Sequence, residues 1–584
     1  MWLELAGKVQ SWRDLPGALF TPTVHGTIRP FSERGFFLLF YSIFGPDALP
    51  FRIWVFLTQC ANLVLLALIT RRLTGSRFAG FAAAVLWVAN SRLATAMSWT
   101  SAYMQVLCGF TLLLAFYLLL RHIETGKKPY WYGQWAVFLL GFGVMETNVV
   151  YPALAATYAL LCARPHFRKT LPLFIPSVAF VVLHMMVAPK QTAGPYSIHI
   201  DWAIPVTFTR YWMWAVMPSR FGWLAGVPPW LLGLATGLIS AALAGFAAWQ
   251  LRRRRWVVLV LLAWFVYPLA PVLPLRDHAF SDYYLTLPVI GLAMLGAHGL
   301  AHAFQSRREW AAGAVALVAV FLVASVPVAF AYNRWWCEGS HDARKLVMGV
   351  LAARRLHPHK TILLTGVETR LFWAVFPDHA FRAFGVRDVF VAPGSESQIR
   401  AYPELGTDLE EFVLEPGAVL RALERDELVV YRVGGERLKN VTTLYAGSAV
   451  ETLKPSLPRR VDASNPILAY LLGPTWHSSD GTHRWMPRHA TLALGGPRSP
   501  AEKLHLAGRC PPADRPIELS VLVDGYRVAR RRLPPGGPFA VDIDLPAAAL
   551  GKDKIEVALE VDHAVNPPGD GRELALAFGV VEIR

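Results

Sequence analysis

Charged side chains are scarce in this chain: Asp, Glu, Lys and Arg make up 17% of its 584 residues, whereas hydrophobic residues make up 54%. Soluble domains usually contain about 25% charged residues, so the composition excludes an ordinary soluble protein. Cysteine is also rare. Three of the five cysteines lie in apolar segments, which excludes a disulfide framework, and whether Cys337 and Cys510 pair stays open.

The common catalytic motifs are missing as well. The sequence has no His/Cys cluster with zinc spacing, no GxGxxG or P-loop before a helix, and no GxSxG elbow. It also has no internal repeat. A nucleotide site, a structural zinc site and a serine-hydrolase site therefore have no support in the sequence, no cofactor is predicted with certainty, and a divalent metal stays possible.

Long apolar segments dominate the first 330 residues. A bilayer core of about 30 Å needs about 20 residues of helix, and the shorter segments reach this length only marginally. The segments lie at 51–71, 78–92, 101–120, 131–145, 149–163, 171–188, 229–250, 256–274, 284–304 and 310–331. They predict an α-helical polytopic membrane protein with about ten transmembrane helices.

Basic residues follow every second apolar segment. They are Arg71, Arg72 and Arg77, then Arg121, Lys127 and Lys128, then Arg164, Arg168 and Lys169, then Arg252–Arg255, then Arg307 and Arg308. Because Lys and Arg collect in cytoplasmic loops, these loops are predicted to be cytoplasmic. This pattern explains much of the net charge of +16 without a nucleic-acid partner. The predicted location is the cytoplasmic (inner) membrane, with everything after residue 332 on the periplasmic or extracellular face.

The N-terminal 50 residues are predicted to lie on that same outer face, with a short interfacial helix at 36–44. They contain neither an apolar span nor the basic start and apolar core of an export signal. We therefore expect a first transmembrane helix to precede the sequence as given. An Asp or Glu just after that helix would be a further candidate base.

The composition changes after Tyr332. The predicted domains are 1–50, the transmembrane domain 51–332, an α/β region 333–468 and a β-sandwich 469–584. Helices are expected near 342–355 and 417–424, and strands at Thr361–Thr365 and 428–433. From residue 469 the hydrophobic period becomes two, and Asp524-Gly525 is a strong hairpin signal. Short strands with Pro/Gly-rich turns favour a jelly-roll-like sandwich.

Polar side chains at the outer ends of the spans are the candidate functional residues, because burial near lipid is costly unless they face a cavity. The set comprises Arg29, Glu33, Trp99, Glu146, Asp201, Arg276, Asp277, His278, Asp282 and Tyr284. Simpler explanations remain open: the aromatic residues suit the interfacial belt, the arginines suit lipid headgroups, and a histidine is often only a hydrogen-bonding group. Glu146 is the hardest to explain this way, because it ends an apolar span.

Four stretches resemble GT-C glycosyltransferases of the protein O-mannosyltransferase type, including its bacterial branch. They are 26–46 with its Arg-Pro, 86–105 (LWVANSRLATAMSWTSAYMQ), 141–152 (GFGVMETNVVYP) and 276–288 (RDHAFSDYYLTLP). The resemblance covers about residues 20–330. It implies inverting transfer of a hexosyl group from a polyprenyl-phosphate donor to a glycan, lipid or protein acceptor. An acidic residue would serve as base or metal ligand, and basic and aromatic groups would hold the lipid phosphate.

Carried over by position, the resemblance assigns Glu146 to catalysis, with Glu33 and Asp201 as weaker alternatives. It assigns substrate binding to Arg29, Trp99, Arg276, Asp277, His278, Asp282 and Tyr284. The sequence departs from the family where Met145 precedes Glu146, because a Lys-Glu turn has lost its base. The tail is similar to sandwich modules appended to bacterial glycosyltransferases, in which Trp476 and Trp485 would either stack on sugar rings or fill the core.

Other functions remain possible from the sequence. A degenerate, non-catalytic relative that binds lipid-linked glycan, or an assembly partner, would show the same spans. A transporter would instead favour ionisable residues near the middle of the bilayer and inverted repeats. In this chain the ionisable residues cluster at span ends, which favours the enzyme.

Overall fold

The computed structural model describes residues 9, 11–21, 27–187, 197–218, 220–275, 282–402, 408–435, 437–453, 457–480, 482–566 and 571–584. The chain divides into two compact units, Met1–Ser340 and His341–Arg584. The first unit is helical, and the second contains the β-strands.

Helices form the first unit, and every apolar segment predicted from the sequence contains one. The helices are α1 Leu15–Phe20, α2 Phe36–Phe44, α3 Ala48–Thr74, α4 Arg77–Val88, α5 Leu93–Ser98, α6 Tyr103–Thr125, α7 Lys128–Gly141, α8 Tyr151–Cys162, α9 Phe167–Thr170, α10 Phe174–Val187, α11 Ala203–Val216, α12 Pro229–Arg252, α13 Val257–Leu269, α14 Val289–Phe304 and α15 Arg308–Leu356, which continues into the second unit. A π-helix, Pro30–Gly35, leads into α2, and this helix agrees with the predicted short helix at 36–44.

Within the described residues, five helical segments are long and apolar enough to cross a membrane. They are Ala48–Thr74, Thr100–Thr125, Arg164–Val187, Pro229–Arg252 and Arg308–Leu356. Three further apolar helices, α4, α13 and α14, are shorter. These helices support a multi-pass membrane protein, whereas the count of about ten spans stays a prediction.

The boundary between α3 and α4 shows how the sequence sets the helix ends. Asp47 caps the start of α3 by accepting a hydrogen bond from Leu49 N, and Gly75 ends it with φ of +74°. Ser76 then caps α4 through Ala79 N at 3.1 Å. A left-handed glycine followed at once by a serine cap makes a tight reversal, so α3 and α4 pack side by side. A Cβ on Gly80 would lie 2.5 Å from Ala67 O, which shows how closely they approach.

The second unit begins with a small parallel sheet. Its strands are β1 Thr361–Thr365, β2 Val389–Val391, β3 Leu428–Arg432 and β4 Lys439–Asn440, in the order β2-β1-β3-β4. Strands β1, β2 and β3 are parallel, and β4 pairs antiparallel with β3. The helices are α16 Thr369–Val375, α17 Pro416–Glu424 and α18 Thr442–Thr452. The predicted strand at Thr361–Thr365 and the predicted helix near 417–424 are both confirmed.

The chain ends in two further sheets. The strands are β5 Arg460–Asp462, β6 Arg484–Met486, β7 His489–Leu494, β8 Lys503–Arg509, β9 Ile517–Val523, β10 Tyr526–Leu533, β11 Pro538–Asp544, β12 Ile555–Val561 and β13 Leu576–Ile583. One sheet has the order β10-β9-β12-β7 and the other β11-β8-β13-β5, with β6 also on β13. Alternating residues of both sheets belong to one apolar core. The predicted hairpin is confirmed, because Asp524 and Gly525 have φ of 50° and 83° between β9 and β10.

Candidate functional site

The turn that carries Glu146 is built by small and amide residues. Helix α7 ends at Gly141, and the Asn148 side chain donates a hydrogen bond of 2.8 Å to Phe138 O, in the last turn of the helix. A Cβ on Gly141 would collide with this same amide. The chain can therefore fold back sharply, and Glu146 opens a 3₁₀-helix, Glu146–Val150, at the reversal.

The N-terminal segment docks on this turn through its backbone. Phe31 N donates to Gly143 O at 3.0 Å, and Ser32 Oγ donates to Val144 O at 2.6 Å. Gly143 is needed for the contact, because a Cβ there would lie 2.5 Å from the Phe31 ring. The docking places the residue before Pro30, which is Arg29, beside the start of the 3₁₀-helix.

Arg29 joins two carboxylates. Its Nε lies 3.0 Å from both carboxylate oxygens of Glu146, and its Nη2 lies 2.7 Å from Glu146 Oε2. Its Nη1 donates to Glu33 Oε1 at 2.5 Å. The exposed fractions of the side chains are 17% for Arg29, 6% for Glu33 and 26% for Glu146. Glu146 is thus the member most accessible to a ligand, and we call the three residues the Arg29 triad.

Burial and charge act in opposite directions on the two acids of the triad. Burial, the largest influence, raises the pKa of Glu33, and Arg29 only partly offsets it. For Glu146 burial again acts to raise the pKa, but the charge and hydrogen bonds of Arg29 outweigh it, and the pKa falls below its usual value. The charge of His184, on α10, lowers the pKa of Glu146 further. The site therefore holds one readily ionised and one less readily ionised carboxylate.

A second buried ion pair surrounds Arg92. Its Nε donates to Trp214 O at 2.9 Å, its guanidinium lies 5.0 Å from the Trp214 ring centroid, and its Nη1 lies 3.9 Å from Asp282 Oδ2. Burial raises the pKa of Asp282, opposed by Arg92 and by a hydrogen bond from Thr95. Arg92 was not among the assigned site residues. Its signal in the sequence was its place in the polar run Asn90-Ser91-Arg92, four residues after Val88, the last valine of an apolar segment.

The remaining sequence candidates have separate surroundings. Trp99 meets Tyr283 edge-on with ring centroids 5.8 Å apart, and Tyr283 meets Tyr284 at 4.4 Å. Asp201 is exposed and accepts a hydrogen bond of 2.8 Å from Ala203 N, at the first residue of α11. The other three predicted residues, Arg276, Asp277 and His278, lie outside the described residues.

The two tryptophans of the C-terminal sheets differ. Trp476 is buried, donates its Nε1 hydrogen to Thr491 O at 2.8 Å and packs edge-on against Phe578. Of the two alternatives for Trp476, its burial favours core filling over sugar stacking, because its indole packs in the core and its polar hydrogen is satisfied by a strand carbonyl. Trp485 is half-buried, on β6.

No metal-binding cluster is evident where the structure describes the chain: no three His, Cys, Asp or Glu side chains are grouped as metal ligands. The five cysteines are free thiols, with Cys510 buried and Cys337 exposed. Glu146 and Glu33 are both held by Arg29, so the chemistry that the triad itself offers is that of carboxylates held by a guanidinium.

Apolar helices with a carboxylate–guanidinium site between them define a multi-pass membrane protein. Residues 35–189 match the family described as dolichyl-phosphate-mannose-protein mannosyltransferase. No curated protein matches the chain. The matched segment contains Trp99 and Glu146, and Arg29 and Glu33 lie just before it. The match supports, at a coarse level, a membrane glycosyltransferase that uses a polyprenyl-phosphate-linked sugar.

Proposed function

We propose that this protein transfers a sugar from a polyprenyl-phosphate donor to a glycan, lipid or protein acceptor outside the cytoplasmic membrane. The observation that carries the proposal is the ion pair between Arg29 and Glu146, which holds a partly exposed carboxylate at the end of apolar helices. The positive-inside pattern favours placing this end on the outer face.

Glu146 would act on the acceptor. The acceptor hydroxyl oxygen attacks the anomeric carbon, the bond from that carbon to the phosphate oxygen breaks, and the phosphate leaves with the electron pair. The hydroxyl proton passes to a carboxylate. Glu146 is the more exposed acid of the triad and stays ionised at neutral pH, so it is the group that we assign to this proton.

Arg29 and Glu33 would position Glu146. The parallel hydrogen bonds from Nε and Nη2 fix the plane of the Glu146 carboxylate. The planar guanidinium of an arginine can do this, whereas the ammonium of a lysine cannot. Glu33, on the neighbouring turn, holds Nη1 and so fixes the guanidinium. Arg276 and His278 stay candidates for the donor phosphate.

An apolar cavity supports a lipid-linked donor. Its volume is about 1040 Å³, and its walls come from α4, α12, α14 and α15, with Leu86, Leu243, Phe246, Leu292 and Phe321 among the lining side chains. Asn90 and Val216 line it too, and the Asn90 side chain donates to Ala215 O at 3.1 Å beside the Arg92 ion pair. A prenyl tail would find an apolar lining there.

The finer domain organisation is part of the same proposal. We assign 1–50 to an outer-face segment, 51–332 to the transferase domain, 333–468 to an α/β region and 469–584 to a β-sandwich, whose five-stranded sheet also includes β5 from the preceding region. The shared apolar core of the two C-terminal sheets supports the last assignment.

The test is transfer of a radiolabelled sugar from synthetic polyprenyl-phosphate donors by the full-length protein in proteoliposomes. Glu146→Gln should abolish transfer while donor binding and expression persist. Glu124→Gln is the matched control, since Glu124 also pairs with arginines, Arg72 and Arg121, but on an exposed surface. Equal transfer by wild type and Glu146→Gln would refute the assignment of Glu146, and no transfer by wild type from any donor tested would refute the function.

A further inference from the structure

The apolar cavity along α14 is longer than one leaflet of a membrane. It follows α14 from Val289 to Ala303, about 21 Å of helix, whereas one leaflet contributes only about 15 Å of hydrocarbon. Asn90 lines the Val289 end, and His302 and Ser306 line the opposite end. We call this opposite end the arginine end, after the run Arg252–Arg255 that follows α12. A donor tail that enters beside Asn90 leaves the arginine end to a second lipid.

Aromatic side chains line the arginine end. Trp249, on α12, and Trp310, on α15, both line the cavity, and both are exposed. Trp249 also meets His302 edge-on, with ring centroids 5.7 Å apart. Because tryptophan indoles favour the boundary between hydrocarbon and headgroups, the cavity opens at the depth of the lipid headgroups.

Small side chains widen the cavity near this opening. Gly299 and Ala303 line it from α14, and Gly313 and Ala314 line it from α15. A Cβ on Gly313 would meet no atom within 4 Å. The space beside α15 is therefore open enough for a hydrocarbon chain.

The arginine run folds over the end of α12. Arg253 places its guanidinium 4.3 Å from the Trp249 ring centroid, next to the cavity. Arg254 has φ of +57°, and this turn lets Arg255 N donate to Gln250 O at 3.0 Å. The guanidinium groups are thus held close to the opening instead of extending away from it.

The positive charge at this end is not balanced by acids. Where the structure describes the chain, none of Arg252–Arg255 forms an ion pair, and all four are exposed. Arg307 and Arg308, between α14 and the body of α15, add to this charge, and Glu309 is the acid beside them. The described side chains that line the cavity include no Asp or Glu. The opening is therefore complementary to an anion.

We propose that the arginine end binds an anionic glycerophospholipid, with its phosphate among the guanidinium groups and an acyl chain in the cavity along α14. Guanidinium groups donate parallel hydrogen bonds to phosphate oxygens, and basic pockets between membrane helices on the cytoplasmic side suit anionic headgroups. A choline or ethanolamine group would find only Glu309 to offset the arginines. The site does not depend on the proposed transferase activity.

The test measures lipid binding to the full-length protein in detergent by native mass spectrometry, with phosphatidylglycerol and phosphatidylcholine that carry the same acyl chains. Wild type should bind phosphatidylglycerol about tenfold more tightly. The double variant Arg253→Gln/Arg255→Gln should lose most of this preference. Arg164→Gln/Arg168→Gln is the matched control, because it removes two exposed arginines from another predicted cytoplasmic loop, and it should keep the preference.

A second pair of variants tests the acyl chain. Gly313→Leu should weaken binding of both lipids about tenfold, because the new side chain would fill the cavity beside α15. Gly237→Leu is the control, since Gly237 also has open space around it but does not line the cavity. Thermal unfolding of each variant shows that it is folded.

Three results would overturn the proposal. Equal affinity of wild type for the two lipids, or an equal loss of preference in the Arg164/Arg168 control, would leave the arginine run as a topological signal only. Unchanged binding in a folded Gly313→Leu would exclude the cavity as the acyl site. Displacement of phosphatidylglycerol by an equal concentration of polyprenyl phosphate would make the donor the occupant. Sugar transfer, measured in the same variants, reports on the proposed function separately.

Discussion

Arg29 and Glu146, 117 positions apart in the chain, form a bidentate ion pair, in which Nε and Nη2 of the guanidinium both donate to the carboxylate. The two residues meet because the backbone of Phe31 is hydrogen-bonded to the glycine-rich turn before Glu146. Geometry of this kind depends on the fork of the arginine and on the backbone contact that sets its distance.

Arg29→Lys should fold but transfer sugar at least about tenfold more slowly, since an ammonium is a point charge that cannot hold both Glu146 oxygens and Glu33 together. Arg29→Ala should be inactive. The measurement is the initial transfer rate in proteoliposomes, with Arg72→Lys as control at an exposed pair. Wild-type rates in Arg29→Lys would show that the fork has no role.

Gly143→Ala should lower activity although residue 143 carries no reactive group. The new Cβ would lie 2.5 Å from the Phe31 ring, so the N-terminal segment must shift and Arg29 with it. Gly237→Ala is the control, because open space surrounds Gly237. Rates and thermal unfolding of the two variants should be compared, and equal rates in both would contradict the role of the docked segment.

The ion pair of Glu146 should stabilise the fold only above a threshold pH. Its pKa in the folded protein lies below the usual 4.5, so the contribution is present above about pH 4.5 and is lost as pH falls through the lower folded value. The Tm difference between wild type and Glu146→Gln should be constant from pH 5 to 7 and shrink below about 4.5. A difference that does not change down to pH 3 would contradict the lowered pKa.

Glu33→Gln should show the opposite trend. Burial raises the pKa of Glu33 above its usual 4.5 in the folded protein, so ionisation of this group costs stability as pH rises past that value. The Tm of Glu33→Gln relative to wild type should therefore increase from pH 4 to 7. A relative Tm that falls over this range would show that Arg29 outweighs burial at Glu33 as well.

Trp476→Ala should destabilise the second unit strongly, by about 3–5 kcal/mol, because it leaves a cavity against Phe578 and removes the indole hydrogen bond to Thr491 O. Trp485→Ala should change stability much less. Hydrogen exchange of the C-terminal strands, read by mass spectrometry, distinguishes the two. Similar protection in both variants would contradict the predicted difference between the two tryptophans.

Local signals in the sequence predicted much of the fold. Apolar runs predicted the helices, and Asp524-Gly525 predicted a hairpin because both residues adopt positive φ. Helix α11 was missed, since its segment has no long apolar run. Its signal was a stripe of buried residues four apart, Thr207, Tyr211 and Ala215, which marks one helix face.

The site was predictable as a list of residues but not as contacts. Glu146 and Arg29 were each selected because a charge at the end of an apolar span needs a partner, but nothing in their spacing says that they pair with each other. The two tryptophans of the C-terminal sheets show a similar limit. The strand pattern does not tell whether Trp476 or Trp485 faces the core, because Trp476 precedes a short strand and Trp485 lies in it. Which tryptophan faces the core is decided by the pairing register of strands that are distant in the sequence.

Two carboxylates share a single guanidinium in the Arg29 triad, so with both acids ionised the group carries one net negative charge. An arriving phosphodiester would meet repulsion there unless a proton is taken up, and the buried Glu33 is the place where it costs least. Loading of the lipid-linked donor should then be accompanied by proton uptake from bulk water, visible as binding heats that vary with the ionisation enthalpy of the buffer.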